Sequence, residues 1–241
     1  TKYLNEHQIA VFAMDIQGHG HSSGVRCHMT DHNYLVNDFQ KFIHMIRVDD
    51  IELFSNTTAN EAAANKDTMF RTISYTERLN KDWLQSIREL PFFLSGLSMG
   101  GAVATITTKS VESLHGYKGT ICLAPALSVN GRPPWLVTQL MRYTVGWFNS
   151  TGQMPDSKKN TSVNMVLKNP ADIERAEADT WGNPGALGYN LNMRYGTGLM
   201  FLDMFDVLTP EYFSSFKSPF VIIHDPHDQI TSIDGSRRMM D

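Results

Sequence analysis

The stretch Gly96-Leu97-Ser98-Met99-Gly100, followed by Gly101, constrains the fold more than any other part of this chain. The apolar run Pro91-Phe92-Phe93-Leu94-Ser95 precedes it, and Gly101-Ala102-Val103-Ala104-Thr105-Ile106 follows it. The first run reads as a short buried strand and the second as the start of a helix. Only a very sharp strand-to-helix turn fits between them, with Ser98 at its apex. Glycines flank the serine because a side chain at either place would clash inside the turn. Such a turn implies a parallel sheet with helices packed on it, an α/β architecture.

The rest of the chain repeats that alternation. Ile9-Ala10-Val11-Phe12-Ala13-Met14 is a continuous apolar run ending at Asp15 and reads as a buried parallel strand. A Gly- and Ser-rich loop, Asp15-Ile16-Gln17-Gly18-His19-Gly20-His21-Ser22-Ser23-Gly24, follows it. Leu35, Phe39, Phe42, Ile43 and Ile46 fall at helical spacing between Tyr34 and Val48. Residues 49–82 are mostly polar and read as a surface insertion. Tyr117 to Pro125 and Pro219 to His224 supply two further strands. Between them the alternation lapses. Trp135 to Phe148 is an amphipathic helix carrying Trp135, Leu136, Leu140, Tyr143 and Trp147. Residues 160–181 read as a mixed helical stretch, and Leu199 to Val207 is apolar again. Ligands of open parallel sheets bind beyond the carboxyl ends of the strands, so helices inserted there form a cap over the site. The expected organisation is therefore a first part of the core over residues 1–125, a helical cap over 126–209 and a second part of the core over 210–241.

A chain of 241 residues with a net charge of −4 can bury a full core and offers no electrostatic basis for binding nucleic acid. The two cysteines, Cys27 and Cys122, do not make a disulfide scaffold. No apolar run approaches the roughly 20 residues of a membrane span. A cytoplasmic or peripheral-membrane location is the expectation.

Serine becomes a useful nucleophile only with a base in hydrogen-bond reach and a third group to orient that base. In a strand–turn–helix setting these groups follow in the chain order Ser, Asp or Glu, His. The acid belongs on the loop after a later strand, which here reads Asp225-Pro226-His227-Asp228-Gln229-Ile230-Thr231. Asp228 is the favoured acid. Asp225, before a proline, reads as a turn former and is the second choice. None of the nine histidines follows Asp228, so the catalytic His is expected beyond Asp241, with His227 the suspect if the base lies within these residues. The alternative is a noncatalytic binding module of the same fold. The backbone N–H of Met99 is the expected oxyanion donor, and the second donor would precede Thr1. His19, His21, Cys27, His28 and His32 form a dense set of potential ligands, but their spacing matches no standard zinc pattern, and no metal or other cofactor is called for.

The chain resembles the α/β-hydrolase family, and within it the monoacylglycerol lipase branch. The loop from Asp15 to Gly24 resembles that family's D-x-x-G-H-G-x-S-x-G loop, and Gly96 to Gly101 its G-H-S-M-G-G elbow. Ile223 to Thr231 resembles the strand and loop that present the acid, with Asp228 aligned to it. Lys118 to Pro125 resembles the strand leading into the cap. Leu97 stands in place of the usual His, and Asp225 where Gly is common. The resemblance implies a serine esterase whose H-G oxyanion loop and catalytic His lie beyond the two ends. It also implies a lid that presents an apolar surface to lipid. Its substrates would be monoacylglycerols or related lysolipids. A lysophospholipase, thioesterase or aminopeptidase of the same fold is the alternative within the family.

Overall fold

A computed structural model describes residues 2–48, 81–155, 167–179 and 192–241. The chain opens with a short helix α1 (Lys2–Glu6), and α2 (His32–Arg47) follows the Gly-rich loop. Asp31 caps α2 by accepting from the Asn33 N–H, which satisfies one of the helix's free amide groups. Helix α3 (Lys81–Arg88) leads to strand β1 (Phe92–Leu97), helix α4 (Met99–Val111) and strand β2 (Tyr117–Leu123). Then come α5 (Trp135–Met141), which runs on into a π-helical turn at Arg142–Gly146, and α6 (Pro170–Ala178). Helix α7 (Tyr195–Val207), α8 (Pro210–Ser214), strand β3 (Phe220–Ile223) and α9 (Ile233–Met240) complete the chain.

The strands form one parallel sheet in the order β1-β2-β3, with Leu94 opposite Thr120 and Thr120 opposite Phe220. Alternate residues therefore face the same way. Leu94, Thr120 and Cys122 are buried on one face, where α4 packs against β1 and β2. Phe93, Leu97, Val221 and Ile223 lie on the other face and are exposed. The main core joins Leu35 and Val36 of α2, Ala102 and Val103 of α4, Met200 and Met204 of α7, and Met239 of α9. Helix α7, within the 126–209 stretch read as a cap, is thus rooted in the core.

The alternating βα plan is as the sequence implies, and the strands of the elbow, of Tyr117 to Leu123 and of Phe220 to Ile223 stand where expected. Ile9–Met14 does not form the buried strand its composition predicts. No strand pairs with it among the described residues, and Ile9 and Val11 are exposed. Apolar composition permits a strand, whereas only a hydrogen-bonded neighbour makes one. Its Phe12 side chain still packs beside Ile46 and Ile87. The expected insertion falls outside the described residues except for its last two positions, which begin α3. Part of the 160–181 stretch also falls outside them, and the rest contains α6. No helix among the described residues is long and apolar enough to cross a membrane.

Candidate active site

Ser98 sits between β1 and α4 with φ 51° and ψ −119°. That backbone is unfavourable for a residue with a side chain and costs roughly 1–3 kcal/mol, so its surroundings must hold it. They do so through the main chain. The Ser98 N–H donates to Leu123 O at 2.9 Å, and its carbonyl accepts from Gly101 N–H and Ala126 N–H, both at 2.9 Å. A Cβ on Gly96 would come within 2.1 Å of the Gly100 carbonyl oxygen, and one on Gly101 within 2.7 Å of the Pro125 Cβ. Gly100 meets nothing within 4 Å. The glycines at 96 and 101 are therefore what lets the strand, the helix and the Ala124–Ala126 loop close around the serine.

The hydroxyl of Ser98 is partly exposed and has no hydrogen-bond partner among the described residues. The N–H of Met99 opens α4 and likewise meets no acceptor among them. A first-turn N–H of a 13-residue helix carries the positive end of the helix dipole, which suits developing negative charge.

Asp228 follows β3 at the same, carboxyl end of the sheet. One strand, β2, separates its strand from that of Ser98, a spacing of about 10 Å that leaves room for an imidazole. Its Oδ1 accepts from the Ile230 N–H at 2.7 Å and the Thr231 N–H at 2.9 Å, and its Oδ2 from the Thr231 hydroxyl at 2.9 Å. Burial pushes this carboxyl up, but those three hydrogen bonds and His224 outweigh it and hold the carboxyl below its ordinary range. Asp225 is different. It accepts from the His227 N–H at 2.8 Å, closing its own turn, and its side chain is 73% exposed. The two aspartates thus differ in their settings: Asp225 closes its own turn, and Asp228 is anchored at both carboxylate oxygens.

The histidines divide clearly. His227 is exposed and lies 3.4 Å from Asp225. His224 is buried, with both ring nitrogens engaged by Ser236 and Thr231. No described histidine bonds to Ser98. Asp241 itself is exposed and lends nothing to the serine: it closes α9, its N–H donating to the Arg237 carbonyl at 3.2 Å. The ligand-rich run does not assemble either. His19 Nδ1 meets the Gln17 carbonyl at 3.1 Å, Cys27 is buried, His28 is pushed down by burial and by Arg194, and His32 begins α2. Among the described residues no three His, Cys, Asp or Glu side chains gather as metal ligands. The loop's residues instead fold it on itself. Asp15 accepts from the His21 N–H at 2.9 Å, and Arg26 donates to the Gly20 carbonyl at 2.7 Å.

The contacts of His224, Thr231 and Ser236 with one another are not legible in the sequence. Its only trace is a hydroxyl residue three places after Asp228.

A parallel sheet, a serine on a strained strand-to-helix turn and a carboxylate beyond a later strand define an α/β-hydrolase. The family model described as Serine aminopeptidase, S33 (Hydrolase_4) matches residues 1–54 and 71–241, and the chain belongs to that family. Two crystal structures share the fold. One is a monoacylglycerol lipase of Paleococcus ferrophilus, with a TM-score of 0.58 and 19% identity, matched over 99% of this chain and 70% of that one. The other is a soluble variant of a monoglyceride lipase from Saccharomyces cerevisiae in complex with a substrate analog, with a TM-score of 0.54 and 15% identity. That match covers 93% of this chain and 61% of the yeast one, so the chain spans less than two thirds of the yeast enzyme's length. No curated protein matches the chain.

Proposed function

We propose that this protein is a serine hydrolase of carboxylic esters, with monoacylglycerols or related lysolipids as its substrates. The observation that carries the proposal is Ser98 itself, held at φ 51° over the N-terminus of α4 with its hydroxyl free of partners among the described residues. Ser98 Oγ attacks the ester carbonyl and forms an acyl-enzyme, and the alcohol leaves. The Met99 N–H holds the oxyanion. A histidine outside these 241 residues takes the serine proton and hands it to the leaving alcohol, and Asp228 orients that histidine and stabilises its imidazolium. Water then releases the fatty acid, with no cofactor taking part.

The lipid preference draws support from the resemblance to monoacylglycerol lipases and from α5. Trp135, Leu136, Leu140, Tyr143 and Trp147 are all exposed, each by well over half of its surface. Large apolar and aromatic side chains on an exposed helix suit contact with acyl chains or a membrane surface.

The test is a fluorophosphonate probe applied to the intact protein. It should label Ser98, and Ser98→Ala should abolish both labelling and ester hydrolysis, a loss of several orders of magnitude. Labelling that survives the alanine substitution would sink the assignment.

A further inference from the structure

His224 directly follows β3, and its side chain is only 1% exposed, yet it plays no part in the reaction as drawn above. Its Nδ1 lies 2.7 Å from the hydroxyl of Ser236, which is buried in α9. Its Nε2 lies 3.2 Å from the Thr231 hydroxyl and 3.5 Å from Asp228 Oδ2. The Thr231 hydroxyl has one proton and three neighbours within reach: Asp228 Oδ2 at 2.9 Å, the Ala124 carbonyl at 3.3 Å and His224 Nε2. The carboxylate is both the nearest and the only charged acceptor, so the proton points there. The Thr231 oxygen can then only accept from His224, which places a proton on Nε2.

We propose that His224 is a positioning residue for the triad acid: it donates from Nε2 to Thr231, which fixes the Thr231 hydroxyl on Asp228 Oδ2. The Asp228 carboxylate is then clamped at both oxygens, by two backbone N–H groups on Oδ1 and by the His224–Thr231 relay on Oδ2. Its rotation is stopped, and the imidazole of the base meets an acceptor already aimed. Ser236 holds the far side of the His224 ring, so α9 and the end of β3 set the angle of the acid together. The inference rests on Asp228 being the triad acid of the proposed hydrolase.

Its test uses the intact protein and a short soluble p-nitrophenyl ester. Thr231→Val and His224→Phe keep volume and remove the relay. Each should lower kcat about tenfold to a hundredfold, the scale of a lost hydrogen bond to a charged group, with KM within about twofold. Thr231→Ser and His224→Gln, which restore the donor, should recover kcat to within about threefold of the unsubstituted protein. The double variant His224→Phe with Thr231→Val should be no worse than the poorer single, because both cut one chain. Unchanged kcat in Thr231→Val, failure of the donor-restoring pair to recover it, or an additive double variant would overturn the proposal. A second measurement is independent of turnover. Long-range 15N–1H NMR of the folded protein should show the proton of His224 on Nε2, and a ring carrying it on Nδ1 alone overturns the relay. A protein that fails to label at Ser98 but shows the Nε2 proton would refute the hydrolase reading and with it the positioning role, and would leave only the His224–Thr231 hydrogen bond.

Discussion

Asp225 and Asp228 are three residues apart on one loop, and their surroundings set them to different tasks. Asp225 is mostly exposed and accepts one backbone N–H in its own turn. Asp228 is largely enclosed and accepts three hydrogen bonds, and its carboxyl is held below the ordinary range. An orienting carboxylate keeps the base in the right tautomer and stabilises its imidazolium, so Asp228→Asn should lower turnover by about four orders of magnitude. Asp225→Asn keeps a side-chain oxygen for the turn and should cost less than about tenfold. The reverse ranking would move the acid to Asp225. Stability follows the same chemistry. A group whose pKa is depressed in the folded state stabilises above its unfolded value, about 3.9 for Asp, and that contribution disappears as pH falls through the folded value. Urea unfolding midpoints should therefore fall more steeply in the unsubstituted protein than in Asp228→Asn between about pH 4.5 and 3.

The elbow shows how an element can be read from a pentapeptide and why other elements cannot. Gly96 and Gly100 look equivalent in the motif, yet the space around them differs. A methyl at 96 would collide with the Gly100 carbonyl, whereas position 100 is open. Gly96→Ala should destabilise by about 2–3 kcal/mol, the scale of an overpacked site, and should depress probe labelling at Ser98. Gly100→Ala sits in the first turn of α4 and should be neutral or slightly stabilising, because alanine favours helix over glycine. Equal melting temperatures for the two variants would refute this account of the turn. The elbow is legible because one of its demands is local, the close approach of Gly96 to the Gly100 carbonyl, although Leu123, Pro125 and Ala126 complete its setting from the next strand and loop. Ile9–Met14 shows the limit. Its apolar run matches a buried strand, but strand identity is completed by a partner remote in sequence, and none pairs with it among the described residues. The relay of His224, Thr231 and Ser236 is hidden for the same reason, since it joins a strand end, a loop and a helix. The order Ser98 then Asp228 is legible because parallel strands bring their carboxyl ends to one edge, whatever the chain between them does.

Seen as a whole, the molecule buries its apolar side chains on one face of the sheet and leaves a second apolar surface on α5 and the turn after it. Trp147 and Phe148 are 78% and 83% exposed, and Trp135, Leu136 and Tyr143 are almost as open. Of the arginines flanking this helix in the chain, Arg142 pairs with Asp203 and Arg132 with Asp206. Attraction to a lipid surface would then rest on apolar area, and binding to zwitterionic vesicles should weaken little between about 50 and 300 mM salt. If this surface also feeds an acyl chain toward Ser98, each buried CH₂ is worth roughly 0.8 kcal/mol, or about fourfold in kcat/KM. The intact protein should accordingly hydrolyse long-chain monoacylglycerols far better than short-chain ones. Replacing Leu136 and Leu140 with serine leaves the core untouched, since both side chains are exposed. That double variant should lose at least about tenfold on long-chain substrates and stay within about twofold on a short soluble ester. An equal loss on both would make the helix a structural element only, and a native preference for acetyl esters would turn the reading toward a small-ester hydrolase.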